Sequence, residues 1–127
     1  VAFAKNGNKY ILIDTKGNQV GSSSWDEVDA FNSDQPAAVR TGDKWGFINS
    51  KGELVVEAKY DGARSFSNGF AAVKKEKNWG FIESENYDIC IDYMFDDVGD
   101  FSNGGSVFVK RIETWAMLKI YRLSKQA

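Results

Sequence analysis

At 127 residues, with 43% hydrophobic and 27% charged side chains, the sequence is long enough for about one domain with a real core, and its composition excludes a disordered tail, a collagen-like rod and a polytopic membrane protein. Sixteen basic residues against eighteen acidic ones give a net charge of -2, which excludes the basic footprint of a nucleic-acid-binding surface. The chain has no His, which removes the Ser/Cys–His catalytic arrangements and the His-containing zinc motifs, and a single Cys, which removes an intramolecular disulfide.

The sequence opens on Val1 without a charged segment leading into an apolar one, so the expectation is a chain stripped of any signal peptide or cut from something longer. Tyr10-Ile11-Leu12-Ile13 follows a turn at Lys5-Asn6-Gly7-Asn8 and precedes one at Thr15-Lys16-Gly17. The turn Arg40-Thr41-Gly42-Asp43 leads into a strand from Trp45 to Asn49, dense in aromatic and β-branched residues. Ser50-Lys51-Gly52-Glu53 is a turn, and Leu54 to Glu57 a third strand. Tyr60 to Phe66 is a further extended or irregular segment closed by Ser67-Asn68-Gly69. A strand at Phe70 to Lys74 and a turn at Glu76-Lys77-Asn78 follow. Cys90, in the apolar run Ile89-Cys90-Ile91, is expected to be a small buried hydrophobe. Arg111 to Leu123 has some helical character, but its Trp115 keeps a β-repeat register, so strands are expected there too. Short strands joined by two-to-five-residue turns predict antiparallel hairpins.

The elements recur. Trp45-Gly46-Phe47-Ile48 returns as Trp79-Gly80-Phe81-Ile82, with Tyr10-Ile11-Leu12-Ile13 before them and Trp115-Ala116-Met117-Leu118 after. Trp25-Asp26, Tyr60-Asp61 and Phe95-Asp96 keep step, as do Phe31, Phe66 and Phe101. Phe66-Ser67-Asn68-Gly69 is repeated letter for letter at Phe101-Ser102-Asn103-Gly104. The expected organisation is one β-repeat domain over 1–127, with units near 1–35, 36–69 and 70–104 and a partial unit at 105–127.

A position shared by every copy does the same job in every copy, and that job is most often burial. Trp45 and Phe47 point to one face of their strand, Gly46 and Ile48 to the other. A large aromatic beside Gly predicts close approach of a ring or a neighbouring strand over the Gly. Repeated Trp residues can also stack on sugars, but at this spacing core is the favoured reading. Asp26, Asp61 and Asp96 are expected to cap turns by accepting backbone N–H bonds. Asp96, Asp97 and Asp100 are the best cluster for a cation, but they match no recognised calcium loop, and no metal site is assigned.

No phosphate-binding loop and no nucleophile elbow occurs, and no carboxylate pair is marked for acid–base work; no catalytic residue, cofactor or cofactor-binding residue is expected. From Asn78 to Val109 there is no Lys or Arg but there are seven acidic residues, before a basic tail; a solvated acidic surface beside a basic strand is preferred to a binding face. The turns that differ between units are the places for recognition, although neutral drift on exposed turns gives the same variation.

Lys44-Trp45-Gly46-Phe47-Ile48 with Lys51-Gly52 and Lys59-Tyr60-Asp61, and Phe66-Ser67-Asn68-Gly69 with Ala71-Ala72-Val73 and Asn78-Trp79-Gly80-Phe81-Ile82, resemble the WG repeats, also called KWG repeats, found mostly in bacteria. Tyr10-Ile11 and Trp115-Ala116 depart from that pattern, as do Glu57-Ala58, Asp92-Tyr93 and Ser22-Ser23 where the family usually carries prolines. The expected fold is all-β: three-stranded antiparallel meanders of about 35 residues stacked as a solenoid-like or barrel-like array, with a partial propeller as the alternative. The resemblance implies a non-catalytic module that mediates protein–protein interaction within a larger bacterial protein, and it favours the envelope over the cytoplasm. A glycan- or cell-wall-binding domain using end aromatics such as Tyr87 or Tyr121 is the alternative. The partner's identity is open, and neither nucleic-acid binding nor membrane insertion is expected.

Overall fold

The computed structural model describes residues 1–101, 106–111 and 114–119, and among them it contains β-strands, turns and loops but no helix. In chain order the strands are β1 (Ala2–Asn6), β2 (Lys9–Ile13), β3 (Glu27–Val28), β4 (Ala37–Thr41), β5 (Lys44–Ile48), β6 (Leu54–Tyr60), β7 (Gly62–Ala63), β8 (Phe70–Lys75), β9 (Asn78–Glu83), β10 (Ile89–Phe95), β11 (Asp97–Phe101), β12 (Ser106–Arg111) and β13 (Thr114–Lys119). They form four antiparallel sheets in chain order: β1-β2, β3-β4-β5-β6, β7-β8-β9-β10 and β11-β12-β13.

The expected three-stranded meander is present in both complete sheets, as β4-β5-β6 and β8-β9-β10. Each gains a two-residue strand, β3 or β7, at its leading edge. β7 lies inside the segment expected to be extended or irregular. Only Asp61 separates β6 from β7, so the chain leaves one sheet and enters the next within a single residue.

Side chains alternate across each strand, and successive sheets pack face to face. In the second sheet Val39 and Ile48 join Leu12 of the first sheet in one core, with Trp25 between. On the opposite face Ala38 and Phe47 join Ala71, Val73 and Ile82 of the third sheet, around Phe66. Ala72 and Phe81 then turn to Val98, Val107 and Val109 of the fourth. The two middle sheets are therefore buried on both faces, which explains their lack of a polar side. Phe47, Phe66 and Phe81 are fully buried and meet neighbouring rings edge-on.

The glycine after each Trp has a specific cause. Trp45 pairs with Tyr60 and Phe47 with Val56, so Gly46 alone on β5 faces three residues, Glu57 to Lys59, on β6. The next sheet repeats this, with Trp79 on Phe95 and Phe81 on Ile91 around Gly80. The bulged backbone crosses directly over the glycine. A Cβ on Gly46 would stand 2.4 Å from the Val56 oxygen, and one on Gly80 2.6 Å from the Ile91 oxygen. Ile11 holds this place in the first sheet. The third strand is reduced there to isolated bridges, Ile13 with Gln19 and Tyr10 with Trp25.

Burial of the tryptophans is graded. Trp25 is buried, while Trp45 and Trp79 are half-buried at the rims of their cores. Cys90 is a correction: it is exposed, because it is the extra residue of a bulge between the Ile89–Ile82 and Ile91–Phe81 pairs. Trp115 lies in β13 as the repeat register required, and Tyr121 lies outside the described residues.

Candidate interaction surface

The Lys that precedes the Trp and the Asp at each sheet boundary build a repeated clamp. Lys9 Nζ donates to Asp26 Oδ1 at 2.5 Å, and the Gly42 N–H donates to Asp26 Oδ2 at 2.7 Å. One unit on, Lys44 Nζ donates to Asp61 Oδ1 at 2.5 Å and the Glu76 N–H to Asp61 Oδ2 at 2.7 Å. The Asp thus caps the first turn of its own sheet, as expected, and also ties that turn to the preceding sheet. These contacts hold both carboxyls below their ordinary range, the Lys hydrogen bond contributing most and the N–H next. Asp61 in turn raises the Lys44 ammonium. Asn78 stands in the Lys place of the third sheet.

The clamps align the first turns of three sheets, Asn6–Lys9, Thr41–Lys44 and Lys75–Asn78, into one exposed row. The bases of the row repeat and the tips do not: Asn-Gly-Asn, Thr-Gly-Asp and Lys-Glu-Lys. At the other end of the strands, Asp14 Oδ1 accepts from the Lys16 and Asn18 N–H groups, and Asn49 Oδ1 from Lys51 and Glu53. In the third sheet the turn is one residue longer, with Asn86 Oδ1 taking the Asp88 N–H and Tyr87 at φ 60°.

A second set of contacts joins the loops after the short leading strands. The Ser65 N–H donates to Asp29 Oδ2 at 2.9 Å, Ser65 Oγ donates to the Asp29 carbonyl at 3.2 Å, and the Ala38 N–H donates to Ser65 Oγ at 2.9 Å. Asn32 Nδ2 donates to the Phe66 carbonyl, Gln35 Oε1 accepts from the Gly69 N–H, and Arg64 Nη2 reaches the Val98 carbonyl. Sequence reasoning missed this ladder because its members differ between units: Asp29, Arg64 and Gly99 occupy one equivalent place. A polar crevice of about 300 Å³ lies among Asp29, Asn32, Arg64, Ser67 and Gly99. Beside it a cleft of about 260 Å³ brings Trp45 and Trp79 to Glu27, Asp29 and Arg64, with the Arg64 guanidinium 5.9 Å from the Trp79 ring centre.

The residues singled out from sequence are dispersed. Tyr87 is half-buried and edge-on to Phe66, at 5.7 Å between ring centres, so it is not an open platform. Trp25 is edge-on to Phe3 within the first core. The Asp97 carboxylate accepts from the neighbouring Val98 N–H, and the Asp100 side chain lies outside what the structure describes. Among the described residues no three acidic or thiol side chains converge as a metal site would require. Cys90 Sγ donates to the Phe81 carbonyl at 3.4 Å; partial burial first, and Glu83 second, push its thiol above the ordinary value. No helix among the described residues is long and apolar enough to cross a membrane.

A family model described as a WG containing repeat matches the chain twice, over residues 12–45 and 45–79. No curated protein matches, and no solved structure does.

Proposed function

The chain belongs to the family of WG-containing repeats, and from that premise we propose that it is a non-catalytic module that binds a protein partner within a larger bacterial protein. The observation that carries the reading is the contrast within the row of first turns. The Lys–Asp clamps at its base are repeated and consumed by the fold, while the tips are exposed and differ from unit to unit. A rigid scaffold that presents unlike loops side by side is suited to recognition rather than to chemistry.

Affinity capture tests it. The purified domain is immobilised, a lysate and a cell-wall extract of the source organism are passed over it, and bound peptides and glycans are identified by mass spectrometry. One dominant protein, lost when the tips Thr41–Asp43 and Lys75–Lys77 are exchanged, supports the module. Enriched glycan without protein overturns it.

A glycan reading has one observation in its favour. Trp45 and Trp79 are half-buried and share a cleft with Glu27, Asp29 and Arg64, an aromatic surface with polar groups beside it. Soluble glycans would then quench Trp fluorescence, and Trp79→Phe would reduce the quench.

A further inference from the structure

The junction between the second and third sheets is sealed by two tyrosines of the third sheet. Tyr87 meets Phe66 edge-on, and Tyr93 packs against the same core with Lys75 Nζ 5.9 Å from its ring centre. Burial first, and Tyr93 second, push the Tyr60 hydroxyl in that core up to about 12. Phe95 in β10 and Tyr60 in β6 are the residues paired with Trp79 and Trp45. Counted back from them, Tyr87 and Tyr93 correspond to Gly52 and Ala58 of the second sheet. The backbone agrees, since Gly52 and Tyr87 are both left-handed, at φ 80° and 60°.

The junction between the first and second sheets therefore lacks both rings. A groove of about 360 Å³ lies there, lined among others by Trp25, Val39, Ile48, Gly52, Leu54 and Ala58. Trp25, Val39 and Ile48 are buried, whereas Ala58 is exposed and Leu54 is 58% exposed. A cavity of about 150 Å³ is enough to hold a benzene ring. The groove lies between the second sheet and the segment around Trp25 that bridges to β2, within the array and not at either end of it.

We propose that this groove receives an aromatic side chain, tyrosine or phenylalanine, of the protein partner. The chain itself supplies the template, because the same place one junction on is filled by its own Tyr93. Aromatic anchors seated in desolvated pockets carry most of the energy of a protein interface. Thr41 both lines the groove and begins a turn tip, so the groove is continuous with the row of first turns. The inference rests on the reading of the chain as a protein-binding module, and it adds the apolar anchor that the polar tips lack.

The probe is N-acetyl-tyrosinamide, with N-acetyl-leucinamide as the control. Each is titrated into the chain and read by NMR at the Trp25 indole and the Val39 and Ile48 methyls. The tyrosine amide should bind about tenfold more tightly or better. Ala58→Tyr supplies the ring from the chain, as Tyr93 does, and leaves the turn tips intact. It should weaken the probe by about tenfold or more, keep the melting temperature at or above wild type, and lose the protein that the wild-type chain captures. Leu54→Ser, at an exposed site, should also weaken the probe without filling the groove.

Equal binding of the two amides overturns the inference, as does probe binding that survives both variants. Self-association of the wild-type chain that Ala58→Tyr abolishes overturns it too, by assigning the groove to a second copy. Capture that survives Ala58→Tyr sinks this inference alone and leaves the module standing. A wild-type chain that captures no protein defeats the module reading and this inference with it.

Discussion

The carbonyl oxygen of Val56 lies where a Cβ of residue 46 would be, 2.4 Å from it, so the glycine of each Trp-Gly pair is the footprint of the next strand's bulge. Gly80 carries the same relationship to Ile91. Gly46→Ala and Gly80→Ala should each lower stability by about 2–4 kcal/mol, the upper range for overpacking where the obstacle is backbone. Gly42→Ala has open space but a left-handed backbone at φ 63°, and should cost only about 1 kcal/mol. Urea unfolding of the three variants checks the order; equal losses would contradict the account.

The clamp carboxylates predict an acid limb. Asp26 and Asp61 titrate below their ordinary value of 3.8 in the folded chain, through the Lys9 and Lys44 hydrogen bonds first and the Gly42 and Glu76 N–H groups second. Their contribution is present above the unfolded value and is lost as pH falls through the lowered folded values. Lys44 is raised above 10.5, so its share is present below that value and is lost as pH rises through the folded one. Thermal melts at falling pH should show stability dropping below about pH 4. The drop should be shallower in Asp26→Asn/Asp61→Asn, with Asp14 and its Asn18 N–H bond retaining part of it. An unchanged slope would count against the clamps.

Ser65 joins two sheets through one hydroxyl. Its Oγ takes the Ala38 N–H and donates to the Asp29 carbonyl, and both Ser65 and Ala38 are buried. Ser65→Ala strands that N–H and should cost about 1–3 kcal/mol. The urea midpoint should fall with no change in slope. A neutral substitution would show that the contact does not matter to the stack.

Cys90 is exposed but not activated. Partial burial of its sulfur, then Glu83, raise the thiol above its ordinary value of 9.0. At neutral pH it should react with a thiol-directed reagent more slowly than free cysteine, and Glu83→Gln should speed the reaction. Reaction faster than the free amino acid would contradict this assignment.

The repeating strands were legible because Trp45–Ile48 and Trp79–Ile82 announce both their β character and their register. The close approach over Gly46 and Gly80 was legible too, since a large ring beside a glycine implies a neighbour lying on it. The bulges were not. Three residues of β6 stand opposite one of β5, and Cys90 is one extra residue of β10 between Ile89 and Ile91; an extra residue leaves no mark on an apolar run, which is why Cys90 was expected to be buried. β7 is only two residues long, too short to carry a period. The Asp29–Ser65 ladder escaped for a different reason: comparison of units finds what they share, and Asp29, Arg64 and Gly99 share nothing but their place.

The central claim is that repeated positions build the stack while unrepeated turn tips bind the partner. It is tested by measuring melting temperature and partner retention together on a chain in which the tips Thr41–Asp43 and Lys75–Lys77 are exchanged, with Lys44 left in its clamp. The account predicts a melting temperature close to wild type and loss of the captured protein. Undiminished capture by that chimera would contradict it.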